Sequence, residues 1–345
     1  MNNDSKTSIL IIYTGGTIGM IKNPHTRTLE SFNFEHLLRH VPELRQFNMK
    51  ISSRAFNPPI DSSDMNPTHW AKLVDIIASN YNEYDGFVIL HGTDTMSFTA
   101  SALSFMLQGL TKPVILTGSQ LPIGVLRTDG KENLLTAIEI AAAKNNDGTA
   151  KVPEVCIYFH NKLMRGNRTT KTSSDSFDAF KSNNYPNLAV SGIEIDYNNA
   201  VIQKKAPTAT LQPHYIMDSD IIIFSLFPGI KPDIVKQVLE NSKLKGVIFR
   251  TFGSGNAPQA TWLADALTEA TRNGKVIVNV TQCNTGSVKM SLYETGRQLL
   301  EAGIISGKDM TVEAALTKLM YLFGKKLSPE EVRREMKCNI AGEIS

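Results

Sequence analysis

Cysteine and tryptophan are scarce in this chain, three and two residues among 345. Cys156, Cys283 and Cys338 form no CxxC pair and are odd in number, the pattern of reduced thiols in a reducing compartment. No apolar stretch approaches the roughly 18 residues that a membrane span requires. The opening octet MNNDSKTS is polar, and the apolar run after it is too short for the core of a secretory signal. The expectation is a soluble, cytoplasmic protein with no membrane partner. Charge of one sign is lacking too: 36 Lys and Arg face 33 Asp and Glu, for a net charge of +3. The densest basic stretches, KKL at 325–327 and VRREMK at 332–337, are interleaved with Glu330, Glu331 and Glu335. A solvated helix face accounts for them and leaves no electrostatic footprint for nucleic acid.

Several chemical signatures are absent as well. The chain has no GxxxxGK[ST] phosphate loop, no GxGxxG after a strand and no GxSxG nucleophile elbow. The nearest glycine fingerprint, GSGNAP at 253–258, lacks the third glycine. A metal centre needs His, Cys or carboxylates at ligand spacing, and none is evident, so neither a metal nor another cofactor is expected.

What is present is alternation. Ile9–Tyr13, FVIL (87–90), PVILT (113–117), VCIYFH (155–160), IIIFSLF (221–227), GVIFR (246–250) and KVIVNVTQ (275–282) are short and apolar, as buried strands are. Between them Trp70, Leu73, Val74, Ile77 and Tyr81 recur at helical spacing, and 133–144 and 312–323 carry wide apolar helix faces. Strands separated by helices imply α/β architecture with mostly parallel sheets covered by helices. The length exceeds what one core usually supports. The polar stretch 196–215, with two prolines, is the best boundary. The expected plan is a larger N-terminal α/β catalytic domain (1–195), a linker (196–215) and a smaller C-terminal α/β domain (216–345).

Unusual loops follow the strands. TGGT (14–17) comes after the first, HGTDT (91–95) after FVIL, GSQLPIG after PVILT, and NKLMRGNRTTKTSS after VCIYFH, while NPPIDSSDMNP (57–67) precedes the Trp70 helix. In a parallel sheet such loops lie along one edge and can converge. Each also has an ordinary explanation. Thr93 or Asp94 could cap a helix running toward Leu110, and DSSD could be a turn with a cap. Lys171 could be a surface lysine, and His91 and His160 satisfied structural histidines. Together, however, the loops offer threonine hydroxyls, carboxylates and one lysine. A hydroxyl nucleophile needs a neighbour to accept its proton, and a lysine can do so where burial disfavours its ammonium form.

YTGGTIGM followed by HGTDTM resembles the two signature segments of the bacterial L-asparaginase (asparaginase/glutaminase) family. PIDSSDMNP, TGSQLP with RTDGKENL, RGNRTTKTSSDSFDAF and GSGNAP follow the family's order, so the resemblance covers nearly the whole chain. Without a signal peptide it is similar to the cytoplasmic type I branch. The resemblance implies hydrolysis of L-asparagine to L-aspartate and ammonia through a threonine acyl-enzyme. Thr14 matches the nucleophile, and Thr93, Lys171 and Asp94 match a proton-relay triad. Asp94 also matches the residue that binds the substrate α-ammonium. Ser62 matches the α-carboxylate ligand, with Asp61 and Ser63 beside it, and Ser119 the position where a backbone group contacts the scissile amide. Thr93 belongs to the substrate-binding set as well. A homotetramer built as a dimer of dimers, or a homodimer, is implied by resemblance only.

One departure stands out. The family usually carries a tyrosine in the mobile loop after the first motif, and IKNPHTRTLESF (21–32) contains none. Arg27 falls near that place by spacing, and Tyr13 precedes the nucleophile. The loop is still expected to act as a lid. Arg250 and Cys283 match an effector pocket of some cytoplasmic members, or else are an interface arginine and a buried cysteine. The rival readings are a glutaminase-preferring member, an archaeal-type tRNA amidotransferase subunit, a non-catalytic amino-acid sensor, and an N-terminal threonine hydrolase cleaved before Thr17.

Overall fold

The computed structural model describes residues 6–19, 21–22, 29–30, 34–206, 208–291 and 294–345. The chain divides into two compact units, Met1–Tyr215 and Ile216–Ser345. Both are α/β, and the first is the larger.

In the first unit β1 (Ser8–Tyr13), β2 (Lys50–Ala55), β3 (Gly86–Leu90), β4 (Val114–Thr117) and β5 (Val155–Phe159) run parallel. The antiparallel strands β6 (Lys162–Arg165), β7 (Ala189–Ser191) and β8 (Ile195–Tyr197) extend the sheet, giving the order β8-β7-β6-β5-β4-β3-β1-β2. After β1 the chain places β2 on one side and β3 on the other. The carboxyl ends of β1 and β3 therefore flank a topological switch point, where open α/β sheets form a ligand crevice. Tyr13 is in register with Leu90, so Thr14 and His91 leave the sheet side by side.

The apolar strands predicted from sequence are the buried centre of this sheet: Ile9, Leu10, Ile11 and Ile12 have no solvent exposure. On one face Ile9, Ile11, Val88, Leu90 and Ile115 pack with Leu134, Ala137 and Ile138 of α3 (Gly130–Ala142). Two further helices, α1 (Pro67–Ser79) and α2 (Met96–Met106), bury Trp70, Leu73, Val74, Ile77, Ala100 and Leu103. β2 has no counterpart among the predicted strands. It is an edge strand of sequence KISSRA with no fully buried residue, so it carries no apolar signature. The stretch 196–215 runs within the first unit: Ile195–Tyr197 pairs with β7, and Gln212–Pro213 pairs with Leu107–Gln108.

The second unit has a four-stranded parallel sheet, β9 (Ile221–Ser225), β10 (Gly246–Thr251), β11 (Val276–Thr281) and β12 (Ile305–Ser306). Val247, Phe249 and Ile277 pack with Leu263 and Leu267 of α5 (Thr261–Arg272) and with Val235 and Leu239 of α4 (Pro232–Leu239). Its chain end is held by a fully buried ion pair. Lys318 on α6 (Val312–Gly324) donates to Glu343 at 2.6 Å and also to the carbonyl of Met336. Burial pulls the Lys318 ammonium below its usual range, and the Glu343 carboxylate opposes that shift. Among the described residues no helix is long and apolar enough to cross a membrane.

Removing one partner of a buried pair leaves the other charge uncompensated, which costs about 3–5 kcal/mol. Glu343→Ala should therefore lower the unfolding free energy of the full chain by an amount of that order and shift its urea midpoint down, measured by circular dichroism. An unchanged midpoint would contradict this account of the C-terminal tail.

Candidate active site

The turn after β1 brings the first threonine to the switch point. Gly15 and Gly16 adopt φ of 141° and 85°, and a Cβ on Gly16 would lie 2.5 Å from Gly92 Cα. Only glycine allows both the reversal and this approach of the two strand ends. Thr14 is 1% exposed, and both its N–H and its Oγ1 donate to the Leu90 carbonyl, at 3.0 and 3.1 Å. The buried Tyr13 hydroxyl lies 3.3 Å from the Gly16 carbonyl and steadies the turn. Burial raises the Tyr13 phenol to about 12, so it is no base at neutral pH.

HGTDT supplies the next group, and here the capping explanation fails. α2 begins at Met96 with Thr95 as its N-cap, no side chain caps it, and it ends at Met106 rather than near Leu110. Asp94 instead accepts from Lys171 Nζ at 2.6 Å, and the same Nζ lies 2.9 Å from Thr93 Oγ1. Lys171 is held by a two-residue antiparallel ladder in which it faces Phe180, and its side chain is 17% exposed. It is no freely solvated surface lysine. Its partner Asp94 is 66% exposed, so the carboxylate also faces the crevice solvent.

Ser62 is buried, and a Cβ on Gly92 would fall 2.5 Å from its Oγ, so residue 92 must be glycine to let Ser62 approach the HGTDT loop. Thr95 Oγ1 donates to the Ser62 carbonyl at 2.6 Å and fixes that approach. Asp61 has the turn role allowed for it: its carboxylate accepts from Ser63 N–H and Ser63 Oγ, each at 2.9 Å. Those bonds hold the Asp61 carboxyl below its ordinary range, the backbone N–H contributing most. Ser119 is buried, and its Oγ donates to the Leu121 carbonyl at 2.6 Å. Asp129 accepts from Gln120 N–H and Leu121 N–H, and Asn133 Nδ2 donates to the Gly118 carbonyl at 3.0 Å. Gln120 Nε2 donates to the Ser176 carbonyl at 2.9 Å, joining this loop to the one that carries Lys171. Sequence reasoning had not singled out these supports; their only sign was the polar density of RTDGKENL.

Of the two histidines, His91 is a satisfied buried histidine, as the sequence allowed. His91 is fully buried, and burial lowers its imidazole to about 4, opposed by its hydrogen bond with the Gly92 carbonyl. The His160 backbone N–H donates to Asn133 Oδ1, and its ring lies 4.0 Å from Asp178. In the expected lid, Ile21–Lys22 pairs with Leu29–Glu30, and Arg27 lies outside the described residues. In the second unit, Arg250 sits on β10 and Cys283 follows β11, joined through Gln282, whose Nε2 donates to the Arg250 carbonyl at 3.0 Å. Cys283 is exposed rather than buried. Arg250 Nε is buried and has no hydrogen-bond partner among the described residues. No group of three or more potential metal ligands occurs among the described residues.

A parallel sheet whose switch point gathers two threonines, a lysine and an aspartate defines a class of α/β protein with a hydroxyl–lysine–carboxylate site. Comparison with known proteins makes this more specific. Residues 8–203 match the family description "Asparaginase, N-terminal", and residues 220–336 match "Glutaminase/Asparaginase C-terminal domain". The chain is 45% identical to L-asparaginase 1 of Escherichia coli K12, over 99% of this chain and 98% of that one. The crystal structure of L-asparaginase I from Vibrio cholerae superposes with a TM-score of 0.89 at 43% identity, covering 99% of both chains. The chain is also 42% identical to the human 60 kDa lysophospholipase, over 98% of this chain and 61% of that one. The chain belongs to the asparaginase family.

His91 makes stability depend on pH in a defined direction. Its folded form resists protonation down to about pH 4, whereas the unfolded imidazole takes a proton near 6.5. The contribution is complete above that upper value and is lost as pH falls toward the lower one. Wild type should lose on the order of 3 kcal/mol more than His91→Asn across that window, by urea unfolding. Parallel pH profiles for the two proteins would refute the buried neutral imidazole.

Proposed function

We propose that the protein hydrolyses L-asparagine to L-aspartate and ammonia. The observation that carries this reading is Lys171 Nζ in contact with both Thr93 Oγ1 and Asp94. The similarity to L-asparaginase 1 over essentially the full chain supports the choice of substrate. Thr14 Oγ1 attacks the side-chain amide carbon, and the carbonyl oxygen becomes an oxyanion. The proton leaving Thr14 is relayed through Thr93, Lys171 and Asp94 to the departing nitrogen. Ammonia leaves, a β-aspartyl ester remains on Thr14, and water cleaves it by the reverse route to release aspartate. Lys171 Nζ, set between Thr93 Oγ1 and the Asp94 carboxylate, is the group through which that proton passes. Donors preset for the developing oxyanion contribute a large share of such catalysis.

Asp94, exposed toward the crevice, binds the substrate α-ammonium, and Ser62 binds the α-carboxylate with Asp61 and Ser63 at its rim. The backbone at Ser119, braced by Asp129 and Asn133, contacts the amide. None of these steps calls for a metal or cofactor. The protein works in the cytoplasm, in keeping with its likeness to a structure titled probable cytoplasmic L-asparaginase, and acts as a homotetramer or homodimer. Arg250 and Cys283 form an effector site for a small amino acid, a role the unpartnered buried Arg250 Nε supports.

Steady-state ammonia release from L-asparagine, with L-glutamine in parallel, tests the reading. Thr14→Ala and Thr93→Ala should each lose on the order of 10³-fold or more in kcat, as removal of members of a nucleophile unit does. One methylene of substrate length is worth only about 1–3 kcal/mol, so release from glutamine should be weaker but measurable. No release from asparagine by folded wild type would favour the sensor, and unchanged activity in Thr14→Ala would move the nucleophile elsewhere. For the effector site, rate should depend sigmoidally on asparagine in wild type and hyperbolically in Arg250→Ala; hyperbolic kinetics in both would count against it.

A further inference from the structure

A buried line of side chains runs from α1 to the peptide that precedes Thr93. Trp70 Nε1 donates to Thr99 Oγ1 at 3.1 Å, Thr99 Oγ1 lies 2.9 Å from His91 Nε2, and His91 Nδ1 lies 2.6 Å from the Gly92 carbonyl oxygen. Trp70 is 5% exposed, Thr99 0% and His91 1%. The chemistry of these groups allows one proton arrangement. A carbonyl oxygen only accepts, so His91 Nδ1 carries the hydrogen. The neutral ring then presents Nε2 as an acceptor, so the Thr99 hydroxyl donates to it and receives the indole N–H. Every group in the line is satisfied, and each bond has a fixed direction.

Gly92 is the softest point of the backbone here, because glycine has the widest choice of dihedral angles. It is glycine because Ser62 Oγ occupies the space a Cβ would fill, so no side chain of its own steadies it. The Gly92–Thr93 peptide is trans, since only Asn57–Pro58 is cis among the described residues. In a trans peptide the carbonyl and the following N–H point in opposite directions. Holding the Gly92 oxygen against the buried His91 ring therefore points the Thr93 N–H the opposite way, away from that ring. No protein group among the described residues accepts that N–H.

We propose that His91 is a positioning residue for the hydrolysis. Through Nδ1–H it clamps the Gly92–Thr93 peptide so that the Thr93 N–H stands ready for the oxyanion, with Thr99 and Trp70 locking the ring's tautomer. The proposal rests on the asparaginase reading above and adds to it a reason for a histidine that no proton-transfer step uses. Both ring nitrogens are engaged, so the ring orients and does not titrate during turnover. A donor that strengthens its bond as charge develops acts on kcat more than on KM.

The test is the kinetics of full-length His91→Ala, His91→Asn and Thr99→Val beside wild type, with folding checked by near-ultraviolet circular dichroism. Loss of one oxyanion donor costs about 10²–10³-fold, so His91→Ala should lose roughly 30-fold or more in kcat with KM within about threefold. His91→Asn, which keeps an N–H near the Nδ1 place, should recover about tenfold of that loss. Thr99→Val, which keeps the clamp but frees the tautomer, should fall between wild type and His91→Ala. Unchanged kcat in His91→Ala, a rise in KM alone, or an asparagine variant no better than alanine would overturn the proposal. If His91→Ala does not fold, Thr99→Val decides: a wild-type kcat there overturns it. Absence of activity in folded wild type would instead strike the asparaginase reading itself, and is seen before any substitution is made.

Discussion

One contact organises the first unit's candidate site: Lys171 Nζ set between Thr93 Oγ1 and Asp94, across a separation of 78 residues from the threonine. Neither partner could be held there by local structure. Asp94 stands just before a helix that it does not cap, and Lys171 lies on a two-residue ladder whose hydrogen bonds fix only the backbone. The sheet supplies the rest. Its order turns back between β1 and β3, so the loops after both strands open on one crevice, and the strands themselves are too deeply buried to shift.

The same constraint explains the glycines and the small polar residues around it. Two strand ends, a 3₁₀ turn at Ser62 and the loop at Ser119 must fit within hydrogen-bond distance of one another. Gly16 and Gly92 remove the side chains that would separate them, while Thr95, Asp129 and Asn133 tie the loops by bonds to backbone atoms. Side chains at the candidate site are thus oriented by hydrogen bonds from their neighbours, and the His91–Thr99–Trp70 line continues this pattern into the core.

Much of this was legible in the sequence where the physical signal is local. Continuous apolar runs such as Ile9–Tyr13 and FVIL mark strands covered on both faces, and the structure places them at the sheet centre. β2 was illegible because an edge strand needs no apolar alternation, and β6 to β8 because short antiparallel strands in polar sequence look like loops. At the site, residue types alone suggested a hydroxyl, a carboxylate and a lysine, the grouping of Thr93, Asp94 and Lys171 was implied by the family resemblance, and the structure brings those three together. Asp94 illustrates the ambiguity that remains in any sequence: the same residue suits a helix cap or an ion pair, and only a partner distant in the chain decides. Trp70 gave no sign of its link to His91, since a helical apolar face explains it, and Thr99 carried no signal of its own.

The claim that holds the account together is that Thr14 carries the acyl group while Thr93, Lys171 and Asp94 move protons. The most direct test is to acid-quench the wild-type enzyme during turnover of L-asparagine and locate the added aspartyl group by peptide mass mapping. The account predicts the label on the peptide containing Thr14, lost when fresh water is allowed to react before the quench. A label on the peptide containing Thr93 would contradict it.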